Sequence, residues 1–377
     1  MYAALRRGTI VVWIACSAVR AVPAQAGTEE LLARAAADLT AGRFAAAEIV
    51  YRELAARQPG LIDAHRGLSR ALAAQQRRSE AAAVLGGLGE GLLGAGRHAA
   101  AAEVLGEAAE LAAADPRLQA LLGKARLFAQ SPQAAIAPLE RARELGDASL
   151  LTRLYLAAAL WESGRPEAAE RLYRELVAGA AGPFAAVHQL GRLLLWQGRF
   201  AEAAPLLERA AAERPAAADV RFDLAQALAG AGELDGALAA YRRTVELSPG
   251  HYKAFYGLAR VLARLGGQDA AAREALATYQ RLYAAEQEAT RRENLERARL
   301  DRGWKAIEDG AYREAIGLFE RLGASPEALA GTAAAWTLLG DPARAAEHLE
   351  RAVALAPERE DLRRLLAEAR LAAGGDT

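Results

Sequence analysis

Lysine, asparagine and cysteine are nearly missing from this chain. Only Lys124, Lys253 and Lys305 are lysines among 47 basic residues, Asn294 is the only asparagine, and Cys16 is the only cysteine. A single cysteine excludes an intrachain disulfide framework, a thiolate zinc cluster and a C-x-x-C redox pair. The shortage of lysine and asparagine fits a GC-rich genome better than any mechanism. Aromatic residues make up only 6%, and β-branched residues are too sparse for a large sheet. Neither sign of charge is in excess, because 47 basic residues face 47 acidic ones. That balance argues against nucleic acid or an acidic membrane as the main partner. What the chain has in quantity is small and apolar: 53% of its 377 residues are hydrophobic, many of them alanine. Such a composition packs helices closely, and the length suits two or three ordinary domains or one extended array.

Residues 1–26 read as an address. Arg6 and Arg7 give a positive start, an apolar run follows from Ile10 to Val19, and Ala24-Gln25-Ala26 is a small-x-small pattern suited to cleavage before Gly27. The run is shorter than the roughly 20 residues a membrane-spanning helix needs. A buried N-terminal helix is the alternative. Cys16 follows Trp13-Ile14-Ala15, which departs from a lipoprotein box where leucine is usual. The chain would touch a membrane only if Cys16 were lipidated; otherwise Cys16 leaves with the signal.

From residue 82 the chain repeats. Rows of 34 residues starting at Ala82, Pro116, Leu150, Phe184, Ala218 and Tyr252 align without a gap. Position 7 holds Leu88, Leu122, Leu156, Leu190, Leu224 and Leu258; position 8 holds Gly89, Gly123, Ala157, Gly191, Ala225 and Ala259. Position 20 holds Ala101, Ala135, Ala169, Ala203, Ala237 and Ala271. Apolar residues recur at helical spacing, and most rows break near position 15, at Gly96, Gly164, Gly198, Gly232 and Gly266. Each row therefore predicts two antiparallel helices joined by a tight turn. Pro132 and Pro166 fall in the first turn of second helices, while Pro215 and Pro249 close them. Positions 8 and 20 are expected where the two helices cross, since larger side chains there would hold the axes apart.

This pattern resembles the tetratricopeptide repeat, a 34-residue helix-turn-helix unit with the same distribution of large and small positions. The resemblance implies an all-α fold, a right-handed α-solenoid of about nine units spanning 27–357. An earlier unit fits Thr28 to Leu61, with Gly42, Ala47, Tyr51 and Pro59 in register. Later units begin near Glu296 (Gly303, Gly310, Ala315, Phe319) and Pro326 (Ala333, Gly340, Ala345, Leu349, Pro357). Residues 358–377 are expected to form a capping helix and tail, with Arg363, Arg364, Glu368 and Arg370 facing water. Two irregularities stand out. Residues 62–81 hold only one helix and a turn, and Ser79 to Leu88 could end one unit or start the next. Residues 285–302 add a stretch without glycine or proline, which reads as extended helix.

Candidate chemistry is thin. Gly89-Glu90-Gly91-Leu92-Leu93-Gly94 matches G-x-G-x-x-G, but its glycines fall in the repeat register with no strand before them. Gly123-Lys124 lacks the upstream glycine and following Ser/Thr of a P-loop. His65, His98, His188, His251 and His348 are scattered without metal-ligand spacing. No nucleophile and base are arranged together, and the abundant helical acids suit solvated, i,i+4-paired faces. The reading is a non-enzyme with no cofactor and no metal.

What remains is the surface a solenoid creates. The resemblance implies that positions 2, 5, 9, 12 and 13 point into a concave groove. Carried onto this sequence these include Trp161, His188, Arg192, Trp196, Phe222, Gln226, Lys253, Tyr256, Arg260 and Arg264, with Lys124 and Phe128 continuing the line. Aromatics interleaved with cations suit an extended peptide, arginines holding carboxylates and rings covering apolar side chains. The alternative is that Trp161 and Trp196 pack between neighbouring units. The family's carboxylate clamp uses asparagine at position 9, where this chain has Arg192, Gln226 and Arg260, so that clamp is not expected. The function expected is a protein-interaction scaffold in a bacterial cell envelope, exported and periplasmic, binding a protein or peptide. A glycan-binding accessory of polysaccharide export is the alternative.

Overall fold

The computed structural model describes residues 23–178, 182–357 and 359–374. The expected signal peptide up to residue 22, with Cys16, lies outside the described residues. Among the described residues every regular element is an α-helix. None is long and apolar enough to cross a membrane. The chain divides into two compact units, one of Glu30–Tyr283 and one that takes in Ala284–Thr377 together with the residues before Glu30. The expected repeat span of 27–357 is shared between them.

The first unit is a succession of hairpins. Its helices are α1 (Pro23–Thr40), α2 (Phe44–Arg57), α3 (Ile62–Ala74), α4 (Arg78–Gly94), α5 (His98–Leu111), α6 (Pro116–Phe128) and α7 (Pro132–Glu144). These are followed by α8 (Leu150–Glu162), α9 (Pro166–Val177), α10 (Phe184–Trp196), α11 (Phe200–Glu213), α12 (Ala218–Ala231), α13 (Leu234–Leu247), α14 (Tyr252–Leu265) and α15 (Asp269–Glu308), of which the part up to Tyr283 belongs to this unit. Most turns within the hairpins share one geometry. At Gly198 φ is 75°, its N–H donates to the Leu195 carbonyl at 3.0 Å, and the Arg199 N–H reaches back to Leu194 at 2.9 Å. This pair of bonds satisfies the last carbonyls of α10 and needs a left-handed residue between them. Where the row has no glycine, Gln76 and Gln130 adopt the same sign, with φ of 64° and 61°.

Close approach explains the small residues. A Cβ placed on Gly89, Gly123 or Gly191 would come within 2.4, 2.3 or 2.7 Å of Leu105, Leu139 or Leu207. Each leucine sits at row position 24 and presses its branched end into the opposite helix. Ala101, Ala135, Ala169, Ala203 and Ala237 are fully buried. Ala271 departs from the expectation: it is exposed, although Ala275 at position 24 is buried like its counterparts. The cause is the turn before it, where Gly266 and Gly267 both have positive φ, 72° and 67°. That wider turn delays the start of α15 to Asp269 and leaves Ala271 outside the contact, while position 24 still faces the core.

The two sequence irregularities have structural counterparts. Helix α4 serves two hairpins: Ser69 of α3 donates its hydroxyl to the Ala81 carbonyl at 3.1 Å, while Gly89 of α4 receives Leu105 of α5. Helix α15 is a continuous 40-residue helix, and its residues 284–296 are exposed on all sides. Polar residues all round suit a helix whose middle carries no packed face.

The second unit contains α16 (Tyr312–Glu320), α17 (Pro326–Leu338), α18 (Pro342–Leu355) and α19 (Glu360–Gly374). Phe319 lies between two glycines; a Cβ on Gly303 or Gly331 would meet its ring at 2.5 Å. Leu362 and Ala369 of α19 join Leu349 and Ala352 of α18 in one core cluster. Arg363, Arg364 and Arg370 are exposed, Arg370 pairing with Glu350 at 2.7 Å.

Candidate functional site

In the Glu30–Tyr283 unit the first helices of successive hairpins lie side by side. Direct contacts join α4 to α6, α6 to α8, α10 to α12 and α12 to α14. Arg192 of α10 crosses to the Trp161 ring of α8 at 5.8 Å, so the same face continues there. Every groove residue expected from the sequence lies on one of these helices.

On α6, Lys124 stands 6.0 Å from the Phe128 ring and 5.9 Å from Tyr155 of α8. Phe128 meets Tyr155 edge-on at 5.8 Å and His98 at 5.4 Å. The Nδ1 of His98 is buried without a hydrogen-bond partner. Burial also raises the Tyr155 phenol pKa, keeping it neutral.

The middle of the face is organised by a residue that the sequence reading passed over. Asp223 of α12 lies 2.9 Å from Nε2 of His188 and 3.6 Å from Nε of Arg192. His188 is thereby buried and committed to its carboxylate partner rather than presented to a ligand. Arg192, held on one side by Asp223, is exposed and lies over Trp161. The two tryptophans differ. Trp161 is half-buried and packs against the core, whereas Trp196 is 67% exposed.

Further along, Phe222 of α12 lies tilted against His251 at 4.4 Å and meets Tyr241 at 6.1 Å. Gln226 is half-buried beside it on the same helix. Burial pushes the Tyr241 phenol up to about 12. On α14, Lys253 lies 5.9 Å from the Tyr252 ring and Arg260 5.7 Å from Tyr256. Arg264 donates to the Ala229 carbonyl of α12 at 2.9 Å. Tyr279 and Tyr283 of α15 join Tyr252 and Tyr256. The structure thus gathers Lys124 with Phe128, Trp161 with Arg192 and His188, and Tyr256 with Arg260. It leaves Trp196, Phe222, Gln226 and Arg264 as separate points along the face.

Some arginines at the hairpin turns are ion-paired, as Arg77 is with Glu48 and Glu80 and Arg199 with Glu170 and Glu202, whereas among the described residues Arg97 and Arg165 have no carboxylate at salt-bridge distance. Among the described residues Lys124, Lys253 and Arg260 have aromatic neighbours but no carboxylate at salt-bridge distance. The acids at equivalent positions are exposed Glu162 and Asp219, and Glu90, which pairs with Arg117 at 2.7 Å. Among the described residues, no three His, Cys, Asp or Glu side chains are placed to hold a metal.

Asp223, His98, Tyr155, Tyr252, Tyr279 and Tyr283 were absent from the sequence-derived set. The tyrosines did leave a signal, since each pair on α14 and α15 is spaced one helical turn apart. Asp223 did not, because its role depends on a partner in the preceding row.

Residues 188–252 and 230–287 match the family model of the tetratricopeptide repeat. That stretch is tetratricopeptide repeat, and helical hairpins recur at the same period along the rest of the Glu30–Tyr283 unit, an all-α fold of stacked repeats. Solved structures with a similar fold include MamA from Desulfovibrio magneticus RS-1, 22% identical over 45% of this chain and 96% of MamA, with a TM-score of 0.43. Another is YrrB, described as a TPR protein with an unusual peptide-binding site: 22% identical over 48% of this chain and 93% of its own, TM-score 0.43. No curated protein matches the chain.

Proposed function

We propose that this protein is a non-catalytic interaction scaffold of the bacterial cell envelope, which holds an acidic extended segment of a protein partner against the first-helix face of the Glu30–Tyr283 unit. The observation that carries the reading is the set of cations lying over aromatic rings without carboxylate partners, on a chain of zero net charge. Such cations are open to a partner's carboxylates, and the adjoining rings cover its apolar side chains. Asp223 fixes the orientation of Arg192 beforehand, so less side-chain entropy is lost on binding. Export rests on residues 1–26, whose basic start, short apolar run and Ala-x-Ala end have the order of a signal peptide.

The test is photo-crosslinking in the native host, with a benzophenone side chain at exposed Trp196 and mass spectrometry of the product. The expected product joins a mature chain beginning at Gly27 in the periplasmic fraction to an acidic segment of one protein. Arg192→Glu, Arg260→Glu and Arg264→Glu combined should abolish it while leaving helical circular dichroism intact. If the triple variant keeps every crosslink, the site lies elsewhere. A crosslink to polysaccharide alone would replace the protein partner with a glycan.

A further inference from the structure

Helices α14 and α15 bring four phenol rings together. Tyr279 lies 6.3 Å from Tyr252 and 5.1 Å from Tyr256, and Tyr283 lies 5.6 Å from both Tyr252 and Tyr279. Tyr279 and Tyr283 are stacked, their planes 21° apart. The cluster is not sealed: Tyr256 is 44% exposed and Tyr283 40%. At row position 24, where other hairpins place leucine or tyrosine, this one has Ala275, so the wedge filling the other hairpins is small here. Lys253 and Arg260 flank the rings at 5.9 and 5.7 Å.

The chemistry of the patch narrows its ligand. It offers flat apolar faces, four phenol hydroxyls and two cations. A cationic ligand is disfavoured, because Lys253 and Arg260 already lie over two of the rings. A pyranose would bring many hydroxyl donors, and the only side-chain acceptors in the ring cluster are the same phenol oxygens. A proline-rich segment is the complement. Proline has no backbone N–H, and a polyproline II helix leaves its carbonyls without internal hydrogen bonds, so the ligand is rich in acceptors and poor in donors. Its ring faces stack on tyrosines, and its preset backbone loses little entropy on docking. Lys253 and Arg260 add a preference for acidic residues between the prolines.

We infer that the Tyr252–Tyr256–Tyr279–Tyr283 patch, flanked by Lys253 and Arg260, docks an acidic, proline-rich polypeptide segment. The inference rests on the first-helix face being a protein-binding surface, and it names which segment is read at this end of it.

The test titrates the full chain by fluorescence anisotropy with a labelled peptide of repeating Glu-Pro-Pro, a Glu-Ala-Ala peptide of equal length, and labelled polygalacturonate. The proline peptide should bind about tenfold or more tighter than the alanine peptide, and Tyr256→Ser with Tyr283→Ser should weaken it by a similar factor. If those two substitutions disturb helical content, Lys253→Glu, at an exposed position, is read instead and should weaken binding in the same direction. Equal affinity for both peptides, preference for polygalacturonate, or undiminished binding by the variants overturns the inference. Arg192→Glu separates this from the wider reading. It should reduce native crosslinking yet leave the proline peptide bound, so loss of one result without the other identifies which has failed.

Discussion

Leu105, Leu139 and Leu207 each press into a glycine of the preceding helix, whereas the rows carrying Tyr173 and Tyr241 at the same position have Ala157 and Ala225 opposite. For Tyr241 the extra length is accommodated further on, whereas Tyr173 has Gln189 at the equivalent place. A Cβ on Gly257 would come within 2.3 Å of the Tyr241 ring, and one on Gly67 within 2.3 Å of Tyr51. Size is therefore matched at two places for one wedge. Ala203, with 0% exposure, sits in the same seam. Replacing it with arginine would force the helices apart and strand a charge among Leu190, Leu194 and Leu207. Ala203→Arg should cost roughly 2–4 kcal/mol in urea unfolding. An unchanged melting curve would remove the helix-crossing role assigned to position 20. The small positions were legible because they recur in the sequence. Ala271 was misplaced because two consecutive glycines changed the turn, and periodicity alone carries no turn geometry.

Successive hairpins are also clamped by a side-chain constellation that occurs twice. Glu48 accepts from Arg52, Gln75 and Arg77, and Glu170 is bound in the same way by Arg174, Gln197 and Arg199. The sequence separations agree, 27 residues to each glutamine and 29 to each arginine. Arg77 and Arg199 also reach forward to Glu80 and Glu202. Hydrogen bonds from Arg52, Gln75 and Arg77 lower the Glu48 pKa from 4.5 to about 2 against the opposing effect of burial. Burial pushes Glu170 up, but Gln197, Arg199 and Arg174 outweigh it and leave the group lowered. Both carboxylates bind protons more weakly folded than unfolded. Their stabilisation is therefore complete above the ordinary carboxylate range and fades as pH falls from there through the folded value. Glu48→Gln with Glu170→Gln should destabilise the protein near about pH 7, and the difference from the parent should shrink near about pH 3. A difference that stays constant between these two pH values in urea titrations would mean the clamps do not titrate as described. The spacing was present in the sequence, yet nothing in one row alone points to it, because donor and acceptor belong to neighbouring rows.

At the scale of the Glu30–Tyr283 unit, each hairpin contacts mainly its neighbours, so stability is approximately a sum of hairpin and nearest-neighbour terms. The binding face inherits this property. Its pieces lie on α6, α8, α10, α12 and α14, and each depends on the packing beneath it. The run of aromatics and cations could be read from repeat positions, but not which would be free. His188 looked equivalent to Lys253 until Asp223 of the next row was seen to bury it. The same arrangement makes damage local. Ala203→Arg strikes the α10–α11 hairpin and the α12 helix packed on it, with four hairpins between it and the α1–α2 hairpin. Amide hydrogen exchange should accelerate most in α10 and α11, less in α8 and α12, and least in α2 and α3. Uniform acceleration across Glu30–Tyr283 would show that the unit unfolds as one cooperative body. The tyrosine patch on α14 and α15 would then be lost together with the groove rather than outlasting it.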